Sequence, residues 1–161
     1  MAWCEEHAPA GPLTVVPLVD VDIDPLLDAW TSMYVWTHDG IGMLAAPDED
    51  VRRMLETHQL PGASTESSQV AIRDGRIVGI AVVNPEAWDG RTFLLTETTR
   101  ADELDGHAVV AALVSRALPA LAEAGFALVE FEGHDNDPHI EVLTSVPYVG
   151  ADRLTGLATR E

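Results

Sequence analysis

The chain reads as an α/β domain, and three observations carry that reading. Hydrophobic period switches along the sequence from helical to alternating and back. Asp74-Gly75 joins two strand-like runs as a tight hairpin. A strand, a glycine-bearing loop, a long apolar helix and another strand then follow one another, which predicts a right-handed crossover between parallel strands. The predicted order is β-α-α-β-β-β-α-β-α-β. With 161 residues the chain is long enough for one domain with a buried core.

Residues 1–12, with two prolines and a glycine, are expected to form a flexible leader before a single domain over 13–161. Leu13 to Asp20 reads as a strand, with Pro17 marking an edge position. Asp24-Pro25 then starts a helix as N-cap and first helical residue, with Leu26, Leu27, Trp30, Met33 and Tyr34 at helical spacing. Gly40 and Gly42 end that run. A second helix is expected from Pro47-Asp-Glu-Asp to about His58, closed by Leu60-Pro-Gly-Ala.

Alternation takes over at Gln69–Arg73 and Ile77–Val83, and again at Thr92–Thr98 after the Trp88-Asp-Gly-Arg turn. The longest helical run spans Gly106 to Ala124, with Pro119 a predicted kink and Gly125 a stop. A strand over 126–132, a short helix from Pro138 to about Ser145 and a strand near 153–159 complete the pattern. Repeats and low-complexity segments are absent from the sequence.

Nine basic against 27 acidic residues give a formal net charge of −18. That field disfavours nucleic acid and anionic membrane, favours a cationic small molecule or basic partner, and also serves solubility. All nine basic residues are arginine, so lysine Schiff-base and P-loop chemistry have no residue to use. The single cysteine, Cys4, makes no internal disulfide, and residues 1–12 lack a signal-peptide pattern. Both point to the cytoplasm. No apolar run approaches the ~18 residues needed to span a bilayer.

Two polar stretches carry candidate chemistry. In Arg100-Ala-Asp-Glu-Leu-Asp-Gly-His-Ala-Val-Val110, the Gly106-x-Ala108 pair opens a helix where backbone N–H groups of 106–109 can cradle a phosphate. Asp102, Glu103 and Asp105 flank it and would repel that phosphate; a carboxylate ~4 Å away costs about 1 to 4 kcal/mol. Without a ligand, Asp105 would serve as the helix N-cap and Gly106 as a tight turn. In His134-Asp-Asn-Asp-Pro-His139 the spacing does not suit zinc, and Asn136 or Asp137 reads as the cap of the next helix; no metal is expected.

Element order, with Gly106 and Ala108 at the start of the third helix, resembles the GNAT superfamily of acyl-CoA-dependent N-acyltransferases. Glu103-Leu-Asp-Gly106-His-Ala108 stands at the family's Arg/Gln-x-x-Gly-x-Gly/Ala signature, and Glu97-Thr-Thr-Arg100 at the preceding strand end. Gly125-Phe126 fits the end of that helix, and Asn136 lies 12 residues before Tyr148, as an asparagine commonly precedes a Gly-Phe pair. The departures are Glu103 for Arg/Gln, Leu143 for the tyrosine that protonates the leaving thiolate, and Pro147 for the glycine of Gly-Phe.

The resemblance implies a mixed, mostly antiparallel sheet flanked by helices, and transfer of an acetyl or other acyl group from acyl-CoA to a small, cationic amine. Glu97 would be the general base and Tyr148 the substitute acid. The backbone at 96–98, including Thr96 and Thr98, would hold the pantetheine arm with Asn136, and Gly106, His107, Ala108 and Val109 the pyrophosphate. Trp36, near the first helix's end, and Glu130 with Glu132 on the fifth strand would face the amine. Each has a plainer reading: Glu97 an outward strand residue, Tyr148 a core ring, Glu130 and Glu132 a solvated sheet face. Expected partners are the amine and a second copy of the chain. The departures motivate an alternative, a GNAT-shaped protein that binds a small molecule or does other biosynthetic chemistry without CoA. A third is an acidic subunit docking a basic partner.

Overall fold

The computed structural model describes residues 2–38, 46–85, 91–131 and 137–147. Five strands form one sheet in sequential order: β1 (Leu13–Pro17), β2 (Gln69–Arg73), β3 (Arg76–Asn84), β4 (Arg91–Thr99) and β5 (Leu128–Phe131). The first three pairings are antiparallel and β4–β5 is parallel. This is the mixed, mostly antiparallel sheet expected from the sequence. Asp74 (φ 51°) and Gly75 (φ 75°) both lie in the left-handed region, as a two-residue hairpin of this hand requires.

The helices are α1 (Ala2–Glu6), α2 (Ile23–Thr37), α3 (Asp48–Met54), α4 (Leu60–Gly62), α5 (Gly106–Glu123) and α6 (Ile140–Ser145). Within the segment read as a leader, α1 is helical and Trp3 packs on the core beneath α5, its indole N–H donating to Ser145 Oγ at 3.3 Å. The first strand ends at Pro17, and Leu18–Asp20 turn as a short 3₁₀ segment. Asp22 rather than Asp24 takes the N-cap of α2, so Pro25 sits inside the first turn, where its missing N–H has no helical acceptor to lose.

Between α3 and α4, Leu55–Gln59 form a π-helical turn. Pro61 cannot donate to the Thr57 carbonyl and its ring would crowd it in a regular α turn; widening the preceding turn relieves both. Helix α5 runs through Pro119 and stops at Gly125 (φ 89°), where Gly125 N–H and Phe126 N–H donate back to Ala122 and Leu121. The predicted strand near 153–159 lies outside the described residues.

Two apolar layers sandwich the sheet. Leu13, Ala71, Ala81, Val83 and Leu94 meet Val109, Val110, Leu113, Val114 and Leu121 of α5 on one face. Val70, Ile80 and Val82 meet Leu26, Leu27, Trp30, Met33, Val51 and Leu55 on the other. None of the described helices is long and apolar enough to cross a membrane.

At Gly79 the layers touch most closely. A Cβ there would lie 2.6 Å from the Thr98 carbonyl oxygen and 2.7 Å from Val109 Cγ1. Gly79→Ala is therefore expected to destabilise the protein by about 1 to 3 kcal/mol, read as a lowered urea midpoint at constant slope. An unchanged midpoint would show that β3 does not meet β4 and α5 this closely.

Candidate active site

The β3–β4 ladder breaks near its end. Ile80 pairs with Thr98 and Ala81 with Thr96, so Glu97 is an extra residue with no partner on β3. Just beyond it, Thr98 has φ 56°, a conformation that a β-branched side chain adopts only under strain of about 1 to 3 kcal/mol. Thr98 is fully buried, and its Oγ1, like that of Thr96, has no hydrogen-bond partner among the described residues. On its other side, β4 pairs with β5 only over Arg91–Leu94. From Leu95 onward that edge of β4 has no strand beside it among the described residues.

After β4 the chain turns through 100–105 into α5. Two of the three carboxylates expected to repel an anion here, those of Asp102 and Glu103, are drawn back onto the β2–β3 hairpin. Glu103, its side chain 9% exposed, pairs with Arg73, and Asp102 pairs with Arg76 at 2.9 Å, which holds the Asp102 carboxyl below its ordinary range. Arg100 donates to the Ile77 carbonyl at 2.7 Å and is partly buried, which lowers its pKa. Asp105 takes the N-cap position of α5 without a capping bond from its side chain.

Helix geometry leaves the N–H groups of Gly106, His107 and Ala108 without an intrahelical acceptor. The Val109 N–H already donates to the Asp105 carbonyl at 3.0 Å and its side chain is in the core. Val109 thus drops out of the predicted cradle, and three donors remain.

His139, immediately before α6, fills the space beside this turn. It is 4% exposed, its Nε2 lies 3.0 Å from Thr99 Oγ1, and its N–H donates to Asp137 Oδ1 at 2.7 Å. A Cβ on Gly106 would lie 2.6 Å from the ring's Cε1. The glycine is thus required by a histidine packed against it. His107 stands edge-on to His139 at 5.2 Å between centroids and places Nε2 2.9 Å from the Pro138 carbonyl. Trp36 approaches His139 from α2 at 6.0 Å. Burial pushes the His139 pKa down to about 4, His107 adding to the effect and Asp137 opposing it.

The structure therefore gathers Thr98, Gly106, His107, Ala108 and Trp36 at one end of the sheet, with Thr96 just before the bulge. Glu97 supplies the bulged backbone; its side chain lies outside the described atoms. Tyr148, Asn136 and Glu132 also lie outside the described residues. Glu130 is on β5 opposite Phe93, toward the other end of β4. Sequence reading treated His139 only as a rejected metal ligand and passed over Thr99. No spacing signal links residues 40 positions apart. Among the described residues no three metal-ligating side chains cluster.

This architecture matches solved acetyltransferases. A probable acetyltransferase superposes with a TM-score of 0.63 at 17% identity, covering 92% of this chain and 97% of its own. An aminoglycoside N-acetyltransferase in complex with CoA superposes at 0.61 with 15% identity, covering 95% and 99%. PaiA N-acetyltransferase from Thermoplasma acidophilum, also in complex with CoA, gives 0.60 at 14% identity, covering 83% and 86%. No sequence family and no curated protein matches the chain. The fold is that of the GNAT acetyltransferases.

His139 gives this corner a pH dependence of known sign. Its folded pKa lies below the ordinary 6.5, so the unfolded chain binds the proton more readily. The contribution is present above pH 6.5 and is lost as pH falls toward 4, by about 1.4 kcal/mol per pH unit at most. Urea melts at pH 7 and 5 should show a larger drop for the native protein than for His139→Gln. Equal drops would place the buried neutral imidazole in error.

Proposed function

We propose that the protein is an N-acyltransferase that moves an acyl group from a CoA thioester to a small, positively charged amine. The observation that carries this reading is the strained bulge at Glu97–Thr98, set beside an edge of β4 that has no strand partner among the described residues, with the three N–H donors that open α5 following the turn at 100–105. CoA fits the residues present. Its pyrophosphate would take the N–H groups of Gly106, His107 and Ala108, and Arg73 and Arg76 neutralise two of the three carboxylates that would oppose it, Glu103 and Asp102. Its pantetheine arm would lie along residues 96–98 and be met by Asn136. When bound, the thioester supplies an acyl carbon activated toward an amine.

The chain's own residues have three tasks. Backbone N–H groups released by the bulge can donate to the acyl oxygen as negative charge develops there. The Glu97 carboxylate would accept a proton from the acceptor's ammonium, directly or through water, freeing the amine lone pair to attack, and Tyr148 would supply one to the departing sulfur. Neither Leu143, buried under α5, nor His139, bonded to Thr99, is placed for that last role. Trp36 bounds the site from α2, and the net charge of −18 draws a cationic acceptor toward the surface. Acyltransfer is also what several proteins of this fold are described as doing, including the aminoglycoside N-acetyltransferases.

Calorimetric titration with acetyl-CoA tests the reading, and micromolar affinity is expected. Ala108→Asp leaves α5 favourable, because an acidic residue suits a first helical turn, yet sets a charge against the pyrophosphate. It should weaken acetyl-CoA by about tenfold or more. No binding by the native protein at millimolar acetyl-CoA would overturn the proposal in favour of a GNAT-shaped protein that does not use CoA.

A further inference from the structure

The turn at 100–105 separates the two halves of the acyl-donor site, and little of it is buried: Ala101, Asp102, Leu104 and Asp105 are all exposed. A turn of that kind does not by itself hold the first N–H groups of α5 at a fixed spacing from the bulge. What crosses the gap is His139. Its ring reaches Thr99, the residue after the strained Thr98, through Nε2 at 3.0 Å. The same contact encloses Gly106, because a Cβ there would lie 2.6 Å from the ring's Cε1 and 3.1 Å from Thr99 Oγ1. The end of β4 and the first residue of α5 are thus gripped by the two partners of one buried hydrogen bond.

His139 is itself fixed from several sides. Its N–H donates to Asp137 Oδ1 at 2.7 Å, and its carbonyl accepts the Val142 N–H at 2.9 Å as α6 begins. Val142 and Leu143 then bury against α5. His107 adds a second tie: a carbonyl only accepts, so the Nε2–H of His107 donates to the Pro138 carbonyl at 2.9 Å. The polarity of the His139 ring has a cost. Nδ1 is buried with no partner among the described residues, a penalty that an apolar ring of the same shape would not carry. Filling space alone therefore does not account for a histidine here; its bond to Thr99 does.

We propose that His139 is a positioning residue of the acyl-donor site. Through Thr99 it holds the first turn of α5 at a fixed spacing from the bulged end of β4, so that a ligand long enough to reach both meets N–H groups already aligned. The inference rests on the acyltransferase reading and adds to it a residue that acts through Thr99 rather than on the substrates. Preset spacing matters for such a ligand. Engaging a second segment adds affinity only as far as the two segments are already ordered with respect to each other, and a loose connection returns the gain as ordering entropy.

Calorimetric titration with acetyl-CoA and amide hydrogen exchange of the ligand-free full chain test this together. Thr99→Val keeps the shape and removes the hydroxyl; His139→Phe keeps a ring and removes its nitrogens. Each should weaken acetyl-CoA about tenfold, and the double variant should be no weaker than either, since both remove the same bond. Thr99→Ser, which restores the hydroxyl, should bind within about twofold of the native protein. Val51→Ala, in the layer on the far face of the sheet, loses stability but should keep native affinity. Without ligand, exchange at the Val109 N–H, which bonds to the Asp105 carbonyl, should rise in Thr99→Val and His139→Phe by more than at Ala117 farther along the helix. Native affinity in Thr99→Val, losses that multiply in the double variant, no rescue by Thr99→Ser or an equal loss in Val51→Ala would overturn the inference. A native protein that does not bind acetyl-CoA, with Val109 exchange still faster in the variants, would keep the tie between β4 and α5 and remove the acyltransferase reading. Unchanged Val109 exchange with acetyl-CoA bound would do the reverse.

Discussion

One extra residue in β4 sets the conditions for everything proposed of this protein. Because Glu97 has no partner on β3, the strand must bend, and Thr98 is carried into the left-handed region that threonine ordinarily avoids. Surrounding packing holds it there: the Thr98 carbonyl sits against Gly79, and Thr99 is tied to the buried His139. Strain of this kind persists only where neighbours over-determine it. The bend also frees backbone donors from the ladder and turns the chain toward α5. Side chains from α2 and from the segment before α6, Trp36 and His139, meet beside this bend and the first turn of α5.

Electrostatics follow the same economy. A protein of net charge −18 is a poor host for a diphosphate unless its carboxylates are directed elsewhere. Near α5 two of them are, through Arg73 to Glu103 and Arg76 to Asp102, while Asp105 stays at the N-cap. The exposed Asp102 pair contributes little to stability, and the largely buried Glu103 pair more, but the larger effect is directional. Both hold negative charge on the hairpin side of the loop and away from the first turn of the helix. Where the signature that the sequence resembles has Arg or Gln, this chain has Glu103 with its own cation.

Much of the fold was legible. Asp74-Gly75 predicts a hairpin that forms with both residues at positive φ, and Gly106 and Gly125 bracket the long helix within a residue at its end. Apolar spacing identified which faces of α2 and α5 are buried. The site was less legible, for physical reasons. A bulge depends on the register of two strands, and no glycine marks Thr98 as left-handed. The Arg73–Glu103 pair joins residues 30 apart in sequence, so the loop read alone appears hostile to an anion. The sequence offers Gly106 as an N–H donor to a phosphate or as a tight turn, and gives no sign that its missing side chain also leaves space for a histidine 33 residues later. The π-helical turn has no periodic signature at all.

The central claim is that the bulged backbone and the first turn of α5 act together as one acyl-CoA site. It is tested most directly by amide chemical shifts of the labelled protein on addition of CoA. The account predicts that resonances of residues 96–98 and 106–108 move together and saturate at one concentration, while that of Val109 moves little. Shifts confined to one of the two segments, or to residues elsewhere in the chain, would contradict it.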